Sequence, residues 1–290
     1  MINEFKNEKW VHDCSKQRFI SFLDNHGKKE SRFTLVHWEN ISRSSDMKPH
    51  PILGQWYRNL EEKQSFLRKI FDESAPHYEA IAKWGWFGSG NWYRVDALKR
   101  HGLKPGMRAI DIASGTGPTA RAVAKVVGDS KLVTCVEPSR GMLEESKKLL
   151  DSEHLQAMAE SIPVPDQQYD YLTMGFALRH VDNLVNAFRE FHRVMKPGAT
   201  LLIMDVTKPE NAWVYPIYRF YFKTALPWFT KVFTGSDSAY KLMAYYWLTM
   251  DEMVTPEQVM AALQEAGFEE VKREVCLGVF SEYTANKKNS

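Results

Sequence analysis

Residues 108–117 read RAIDIASGTG, an apolar run that ends in an acidic residue and a glycine-rich turn. The apolar run predicts a buried strand. Glycine lacks a Cβ and tolerates positive φ, so the backbone of such a turn can approach a ligand closely. A helical pattern follows over residues 118–127, and the N–H groups at its start are free to bind that ligand. The stretch therefore predicts a nucleotide-cradling loop.

A second apolar run, over residues 131–136, ends at Glu137, twenty residues after Gly117. A carboxylate at the end of this strand can accept hydrogen bonds from both hydroxyls of a ribose, as in nucleotide-binding βαβ units. Ala120 stands where a dinucleotide fingerprint has its third glycine, and alanine is tolerated there. No lysine follows the turn, which excludes a phosphate-binding P-loop.

Strand and helix patterns alternate through the middle of the chain. The predicted strands lie near residues 107–113, 131–137, 155–158, 169–175 and 199–205, and two more, 270–276 and 279–285, follow a helix over 256–266. This order predicts an α/β fold, a doubly wound, Rossmann-like sheet of seven mostly parallel strands with an antiparallel edge hairpin.

The chain divides by composition into three regions. Residues 1–69 are polar and of mixed charge, which predicts a helical N-terminal extension of unknown role. Residues 70–290 form the predicted domain, and within it residues 210–250 are an inserted aromatic segment, either a lid or a substrate segment. The 290 residues, 44% of them hydrophobic, are enough for one such domain plus an extension.

Composition also restricts partners and compartment. The net charge of +2 and the lack of a basic cluster argue against nucleic acid. Cys14, Cys135 and Cys276 are far apart and predict reduced thiols, and neither they nor the histidines have metal-ligand spacing, so we expect no metal. The charged N-terminus contains no apolar run, so we expect no secretory signal and a cytoplasmic protein.

One aromatic stretch, residues 213–233, reads WVYPIYRFYFKTALPWFTKVF. Its three basic residues and two prolines argue against a membrane span, which needs about 20 predominantly apolar residues. The pattern favours an interfacial helix or a lid. Peripheral membrane contact and a homodimer are both open interpretations.

Seven blocks of the sequence, in this order, carry a resemblance to a known family. They are FDESAPHY (71–78), DIASGTG (111–117), VEPSRGM (136–142), AMAESIPVPDQQYD (157–170), MGFALRHV (174–181), FREFHRVMKPG (188–198) and ATLLIMDVTKP (199–209). The second block resembles motif I of class I S-adenosylmethionine-dependent methyltransferases. From about residue 70 to residue 282 the chain is similar to the ubiquinone/menaquinone biosynthesis C-methyltransferase family.

The resemblance implies S-adenosylmethionine as cofactor and a small-molecule acceptor. It implies a cofactor site made of Tyr78, Asp111, Ser114, Gly115, Gly117, Glu137, Pro138, Met142, Met158, Ala159 and Glu160. Arg179 would stabilise an oxyanion and His180, titrating near neutrality, would accept a proton, which makes them the predicted catalytic residues. Phe176, Tyr240 and Tyr245 are the predicted substrate residues.

Three positions depart from the family's pattern. Met158 stands where an Asn or Asp precedes the Ala-Glu pair, Ala177 replaces a Gly, and His180 replaces an Asn. We expect methyl transfer to a small hydrophobic or aromatic acceptor, with C-methylation of a quinone-precursor-like ring favoured. O-, N- or S-methylation of another metabolite, a non-catalytic cofactor-binding protein and a membrane-peripheral subunit of a quinone-synthesising complex stay open.

Overall fold

The computed structural model describes residues 47–85, 90–209 and 211–289 of the chain. The first 46 residues of the predicted extension, with Cys14, lie outside them. The described residues belong to one compact unit. The predicted boundary at residue 69 falls within a continuous helix, and Leu53 and Tyr57, which precede that helix, are buried against Tyr245.

Seven strands form one sheet, in the order β3-β2-β1-β4-β5-β7-β6. They are β1 (Ala109–Ile112), β2 (Val133–Val136), β3 (Glu153–Leu155), β4 (Tyr169–Gly175), β5 (Met195–Val206), β6 (Phe268–Cys276) and β7 (Phe280–Lys287). The first five strands are parallel, and β7 pairs antiparallel with both β5 and β6. The predicted fold class is confirmed.

Nine α-helices surround this sheet in the described part of the chain. They are α1 (Leu60–Gly85), α2 (Gly90–Arg100), α3 (Pro118–Val127), α4 (Arg140–Leu149), α5 (Leu184–Val194), α6 (Val214–Phe220), α7 (Leu226–Thr234), α8 (Asp237–Asp251) and α9 (Pro256–Glu265). A π-helical turn, Tyr221–Ala225, joins α6 to α7. Over the described residues, no helix is both long and apolar enough to cross a membrane.

The central strands are apolar on both faces because helices cover both sides of the sheet. In β1, Ala109 packs into one core cluster, whereas Ile110 and Ile112 pack into the other. Cys135 of β2 and Cys276 of β6 are both buried. The side chains of the sheet therefore hold two helical layers together, and the carboxyl ends of β1, β2 and β4 open between them.

Two strand boundaries differ from the prediction by more than about two residues. The third strand ends at Leu155 and not near residue 158, because Met158 instead forms an isolated bridge with Ser161. The fifth strand begins at Met195 and not near residue 199, and a register shift against β4 accommodates its early start. Neither difference alters the strand order.

Candidate active site

One large cavity opens at the carboxyl ends of β1, β2 and β4, where open α/β sheets bind their ligands. Its space is about 1300 Å³, part of it open to solvent. What we call the sheet wall comes from the loops after the strands and from the first turns of α3 and α4: Ala113, Ser114, Gly115, Pro118, Thr119, Glu137, Pro138, Ser139, Met142, Met158, Gly175, Phe176, Ala177, His180 and Asp182. What we call the helix wall comes from helices: Gln64, Leu67, Arg68, Phe71, Tyr78, Ile81, Arg94, Phe222, Leu226, Met243 and Tyr246.

The glycine-rich turn after β1 needs its glycines for conformation and for space. Gly115 has φ +58° and Gly117 has φ +86°, a backbone region that other residues rarely adopt. A Cβ on Gly117 would lie 2.7 Å from Ser146 Oγ. Ala113 and Phe176, the residues that follow β1 and β4, also have positive φ, at 53° and 62°. Backbone strain of this kind concentrates at ligand sites.

Glu137 lies at the end of β2 and closes the turn from the other side. Its Oε2 accepts a hydrogen bond from the Gly115 N–H and its Oε1 accepts one from the Ser139 N–H, both at 2.9 Å. A carboxylate has about four acceptor sites, so two remain for a ligand. Burial raises the pKa of Glu137 to about 7. The carboxyl group of Glu137 is therefore easily protonated near neutral pH.

Two acidic side chains of helix α1 form hydrogen bonds to the loops around the glycine-rich turn. Asp72 Oδ1 accepts hydrogen bonds from Ser139 Oγ (2.6 Å) and from the Gly141 N–H (2.8 Å) at the start of α4. Glu79 accepts one from Thr116 Oγ1 at 2.5 Å and forms an ion pair with Arg121. These bonds bring the apolar side chains of α1 into the helix wall.

Arg94 of α2 is a buried cation in the cavity wall that our sequence analysis missed. Its Nε donates to Thr119 Oγ1 at 3.1 Å, and its guanidinium carbon lies 4.9 Å from the centre of the Phe176 ring. Burial lowers its pKa, whereas the charge of Asp111 counteracts that effect. In the sequence Arg94 is an arginine within an aromatic segment. An arginine on an exposed helix would give the same pattern, so the pattern does not indicate a site.

His180 is part of the sheet wall and packs between two aromatic rings. Its ring stacks on Tyr245 at 5.9 Å between centres and meets the edge of Phe71 at 5.2 Å. Burial, and then the charge of Arg179, lower the pKa of His180 well below its ordinary value. The expectation that it titrates near neutrality is therefore wrong. Its Nδ1 is buried without a hydrogen-bond partner in the structure.

Arg179 lies beneath the cavity wall. Its side chain is buried, Nη1 donates to Asp205 Oδ1 at 2.9 Å, and its guanidinium carbon lies 4.1 Å from the centre of the Tyr246 ring. Direct contact with an acceptor, as the sequence suggested, does not fit this position. Arg179 instead supports Tyr246, whose hydroxyl is buried and has no hydrogen-bond partner in the structure.

The cavity wall contains nine of the sixteen predicted site residues. They are Tyr78, Ser114, Gly115, Glu137, Pro138, Met142, Met158, Phe176 and His180. The other seven lie outside it: Asp111, Gly117, Ala159, Glu160, Arg179, Tyr240 and Tyr245.

Three of these seven residues lie beneath or beside the cavity wall. Asp111 is buried in β1, beneath the turn, and burial raises its pKa well above the ordinary value. Glu160 accepts hydrogen bonds from the N–H groups of Asp182 and Asn183, and Ala159 packs in the core.

The two tyrosines predicted to contact the substrate lie outside the cavity wall, and a neighbouring tyrosine lines the cavity. Tyr240 is exposed, and the Tyr245 hydroxyl lies 3.2 Å from that of Tyr57, outside the cavity. Tyr246 lines the cavity instead. Consecutive residues of a helix point about 100° apart, so a one-residue error selects the wrong face.

Outside the cavity, His101, Glu274 and Glu282 bring their ligand atoms within 4.8 Å of one another. Glu282 already accepts hydrogen bonds from Arg100, through both oxygens, and from His101. This ion-pair network accounts for the cluster, and we assign no metal to it.

Comparison with known proteins agrees with this geometry. The sequence model of the ubiE/COQ5 methyltransferase family matches residues 58–287. The chain belongs to this family. A demethylmenaquinone methyltransferase of Lysinibacillus sphaericus is 30% identical over 215 residues, which cover 72% of this chain and 90% of the relative. The ubiquinone/menaquinone biosynthesis C-methyltransferase UbiE of Shewanella pealeana is 29% identical over 218 residues, 73% of this chain and 86% of the relative.

Solved structures share the fold at lower identity. A structure described as an S-adenosylmethionine-dependent methyltransferase, possible histamine N-methyltransferase, of Thermotoga maritima has a TM-score of 0.54 and 23% identity, and the match covers 76% of this chain and 99% of that one. The [4+2]-cyclase SpnF has a TM-score of 0.57 and 16% identity over 79% of this chain and 97% of its own. The fold alone therefore does not determine the reaction.

Family membership makes the protein an S-adenosylmethionine-dependent methyltransferase, and the sheet wall fits this cofactor. Gly115 lies in the cavity wall with open space beside its Cα, and Glu137 keeps acceptor sites that ribose hydroxyls would fill. Met142 and Met158 add apolar surface to the same wall, against which an adenine ring would fit. Arg94 adds a buried positive charge, which would suit the methionine carboxylate.

Proposed function

We propose that the protein transfers a methyl group to a ring carbon of a lipophilic hydroquinone-type acceptor. The observation that carries the proposal is one cavity with two chemically different walls. The sheet wall carries the glycine-rich turn and Glu137, whereas the helix wall is dominated by apolar and aromatic side chains. The names of the relatives, demethylmenaquinone methyltransferase and ubiquinone/menaquinone C-methyltransferase, support the same acceptor class.

The sheet wall would hold the cofactor, with Glu137 at the ribose and Arg94 at the carboxylate. When bound, S-adenosylmethionine supplies an electrophilic methyl group on a sulfonium sulfur. Ser114 and Gly115 lie on the turn beside these groups and limit where the cofactor can sit. Such positioning supplies a large part of the rate of a displacement reaction.

The helix wall would hold the acceptor ring. Phe71, Phe222 and Leu226 offer flat apolar surface, and Phe176 continues it on the sheet wall. Burial of the ring removes it from water, which strengthens polar contacts inside the cavity. A hydrocarbon tail on the ring would add to the buried apolar area.

Two polar groups with buried, unpartnered atoms are suited to the ring hydroxyls. Burial and the charge of Arg179 lower the pKa of His180, which keeps its imidazole neutral, so the unpartnered Nδ1 would accept a hydrogen bond from a ring hydroxyl. That hydrogen bond makes the ring carbon more nucleophilic, and after this carbon takes the methyl group it releases its own hydrogen as a proton to the solvent at the open side of the cavity. The Tyr246 hydroxyl would donate a hydrogen bond to the ring oxygen, and Arg179 positions Tyr246 from beneath.

Mass spectrometry of methyl transfer tests the proposal. Purified protein and S-adenosylmethionine are incubated with demethylated quinols, simple phenols, amines and thiols. Gly115→Arg places a long side chain at the cavity wall and is expected to abolish transfer. Gly106→Arg is the matched control, because Gly106 also has positive φ and open space around it but lies outside the cavity.

A methyl group gained on the ring carbon of a quinol, retained by Gly106→Arg and lost in Gly115→Arg, would support the proposal. Transfer to oxygen, nitrogen or sulfur alone would replace it with heteroatom methylation. Cofactor binding without any transfer would contradict both.

A further inference from the structure

We propose that α6, the π-turn and α7 dock the protein on an anionic lipid surface, with the acceptor cavity directly behind them. The proposal deepens the proposed function, since a lipophilic acceptor would reach the cavity from the bilayer. The segment meant here runs from residue 211 to residue 236 and is named the docking segment below.

The docking segment exposes an unusual amount of aromatic surface. Eight of the thirteen exposed large hydrophobic or aromatic side chains in the described part of the chain lie in this segment, between residues 213 and 233. Trp213, Ile217 and Phe220 lie on one face of α6, and Trp228, Val232 and Phe233 are exposed on α7. Exposed apolar patches of this kind indicate an interaction surface.

The charge of the docking segment favours an anionic surface. It contains Arg219, Lys223 and Lys231 and no acidic residue, although Lys231 forms an ion pair with Asp237 just beyond the segment. Arg219 and Lys223 are exposed beside the aromatic side chains. Tryptophan beside basic residues is typical of helices that lie in the headgroup region of a bilayer, where basic residues are attracted to an anionic leaflet.

The opposite face of the docking segment belongs to the cavity. Phe222 of the π-turn and Leu226 of α7 are buried and line the helix wall. The segment is therefore the layer between the exposed aromatic surface and the cavity. A lipid-soluble acceptor bound near this surface would have a short path to the site without crossing water.

A second copy of the chain is the rival occupant of this surface. A twofold interface places the same patch of both copies together, so the exposed Arg219 and Lys223 would face equal charges. Anionic headgroups instead complement those charges. The surface therefore favours a lipid bilayer over a dimer.

Sedimentation with vesicles tests the proposal on the full-length protein. Phosphatidylcholine vesicles with phosphatidylglycerol should bind the protein, and vesicles without it should bind at least threefold more weakly. Replacing Trp228 and Phe229 together by Ser should lower binding to the anionic vesicles about tenfold. Arg219→Glu with Lys223→Glu should lower it by a similar factor without changing the apolar surface. Leu149→Ser, an exposed apolar position on α4, is the control and should bind as the unchanged protein does.

Two further measurements separate this inference from the proposed function. Methyl transfer to a tail-less, water-soluble acceptor should be unchanged in both docking-segment variants, which shows that they are folded. A protein that methylates quinols but does not bind anionic vesicles would overturn the docking proposal alone. A protein that binds vesicles but methylates no quinol would overturn the proposed function alone. A dimer in analytical ultracentrifugation that dissociates on Trp228→Ser with Phe229→Ser, without vesicle binding, would assign the surface to a second copy.

Discussion

The two walls of the cavity are built in different ways. The sheet wall comes from short loops that directly follow β1, β2, β3 and β4, so neighbouring residues in sequence remain neighbours in the site. The helix wall comes from α1, α2, the π-turn, α7 and α8, which are separated by up to about 180 residues of chain, from Gln64 to Tyr246. Local sequence therefore determines the first wall, and tertiary packing determines the second.

This difference has a functional consequence. The sheet wall is held by backbone hydrogen bonds, such as those from Gly115 and Ser139 to Glu137, and suits one fixed ligand. The helix wall is held by side-chain packing, which changes with sequence more readily than a backbone turn does. We expect variants of the two walls to separate cofactor binding from acceptor binding.

The largest expected effect is on the sheet wall. Glu137→Ala should raise the dissociation constant of the cofactor roughly 100-fold, because about 3 kcal/mol is lost with two hydrogen bonds to a charged group. Isothermal titration calorimetry with S-adenosylmethionine measures it. Glu144→Ala, an exposed carboxylate of α4, is the control and should bind the cofactor normally. Normal binding by Glu137→Ala would show that the ribose site lies elsewhere.

The pH dependence of cofactor binding tests the same residue. The pKa of Glu137 is raised to about 7, and hydroxyl donors bind best to the ionised carboxylate. Affinity should therefore fall about tenfold as the pH is lowered from about 8 to about 6. Calorimetry across this range, repeated with Glu137→Gln, measures it. A variant with the same pH profile as the unchanged protein would contradict the assignment.

The free energy of unfolding should change with pH in the direction opposite to cofactor affinity. Between about pH 4.5 and pH 7 the native protein retains a proton on Glu137 that the unfolded chain has lost. The free energy of unfolding of the cofactor-free protein should therefore decrease as the pH rises through this window, and Glu137→Gln should remove that part of the decrease. Urea unfolding at several pH values measures both proteins.

Two adjacent tyrosines of α8 test the helix wall. Tyr246→Phe should raise the KM for the acceptor about fivefold, the equivalent of one hydrogen bond of about 1 kcal/mol, without changing cofactor affinity. Tyr245→Phe is the matched variant: it should leave KM unchanged and lower the free energy of unfolding by about 1 kcal/mol, because its bond to Tyr57 is lost. Equal effects of the two variants on KM would contradict the assignment of Tyr246.

The same contrast explains how far the sequence could predict this protein. Glu137 and the glycines were identifiable because a strand, a turn and an acid follow one another at a fixed spacing. Tyr78 was the only helix-wall residue predicted, and it came from the family resemblance. Leu67, Phe71 and Leu226 have no such spacing, since apolar residues on a helix serve a core and a cavity equally well.

His180 and Arg179 show a second limit. Their residue types suggested an acid–base pair, but charge and burial are properties of the packed protein. Asp205 pairs with Arg179, and the rings of Phe71 and Tyr245 enclose His180. Asp205 is 26 residues along the chain from Arg179, so no local pattern could indicate the pair that holds the arginine beneath the wall.

The smallest expected effect concerns two neighbouring acids of α1. Asp72 binds Ser139 and Gly141, at the start of α4, and thus connects α1 to the sheet wall. Glu73 accepts a hydrogen bond from Ser238 and connects α1 to α8, within the helix wall. Asp72→Ala should raise the dissociation constant of the cofactor roughly threefold, about 0.6 kcal/mol, which is a modest loss for partly exposed hydrogen bonds. Glu73→Ala should instead raise only the KM for the acceptor, by roughly twofold.

Calorimetry and steady-state kinetics on both variants measure these changes under the same conditions. If the two walls act separately, Asp72→Ala should weaken only cofactor binding and Glu73→Ala should raise only the acceptor KM, although the two residues are adjacent in sequence. A cofactor dissociation constant raised equally by Glu73→Ala would mean that α1 moves as a rigid body. The sheet wall would then depend on the packing of α8 as much as on its own loops, and the distinction between a locally determined wall and a packed wall would fail.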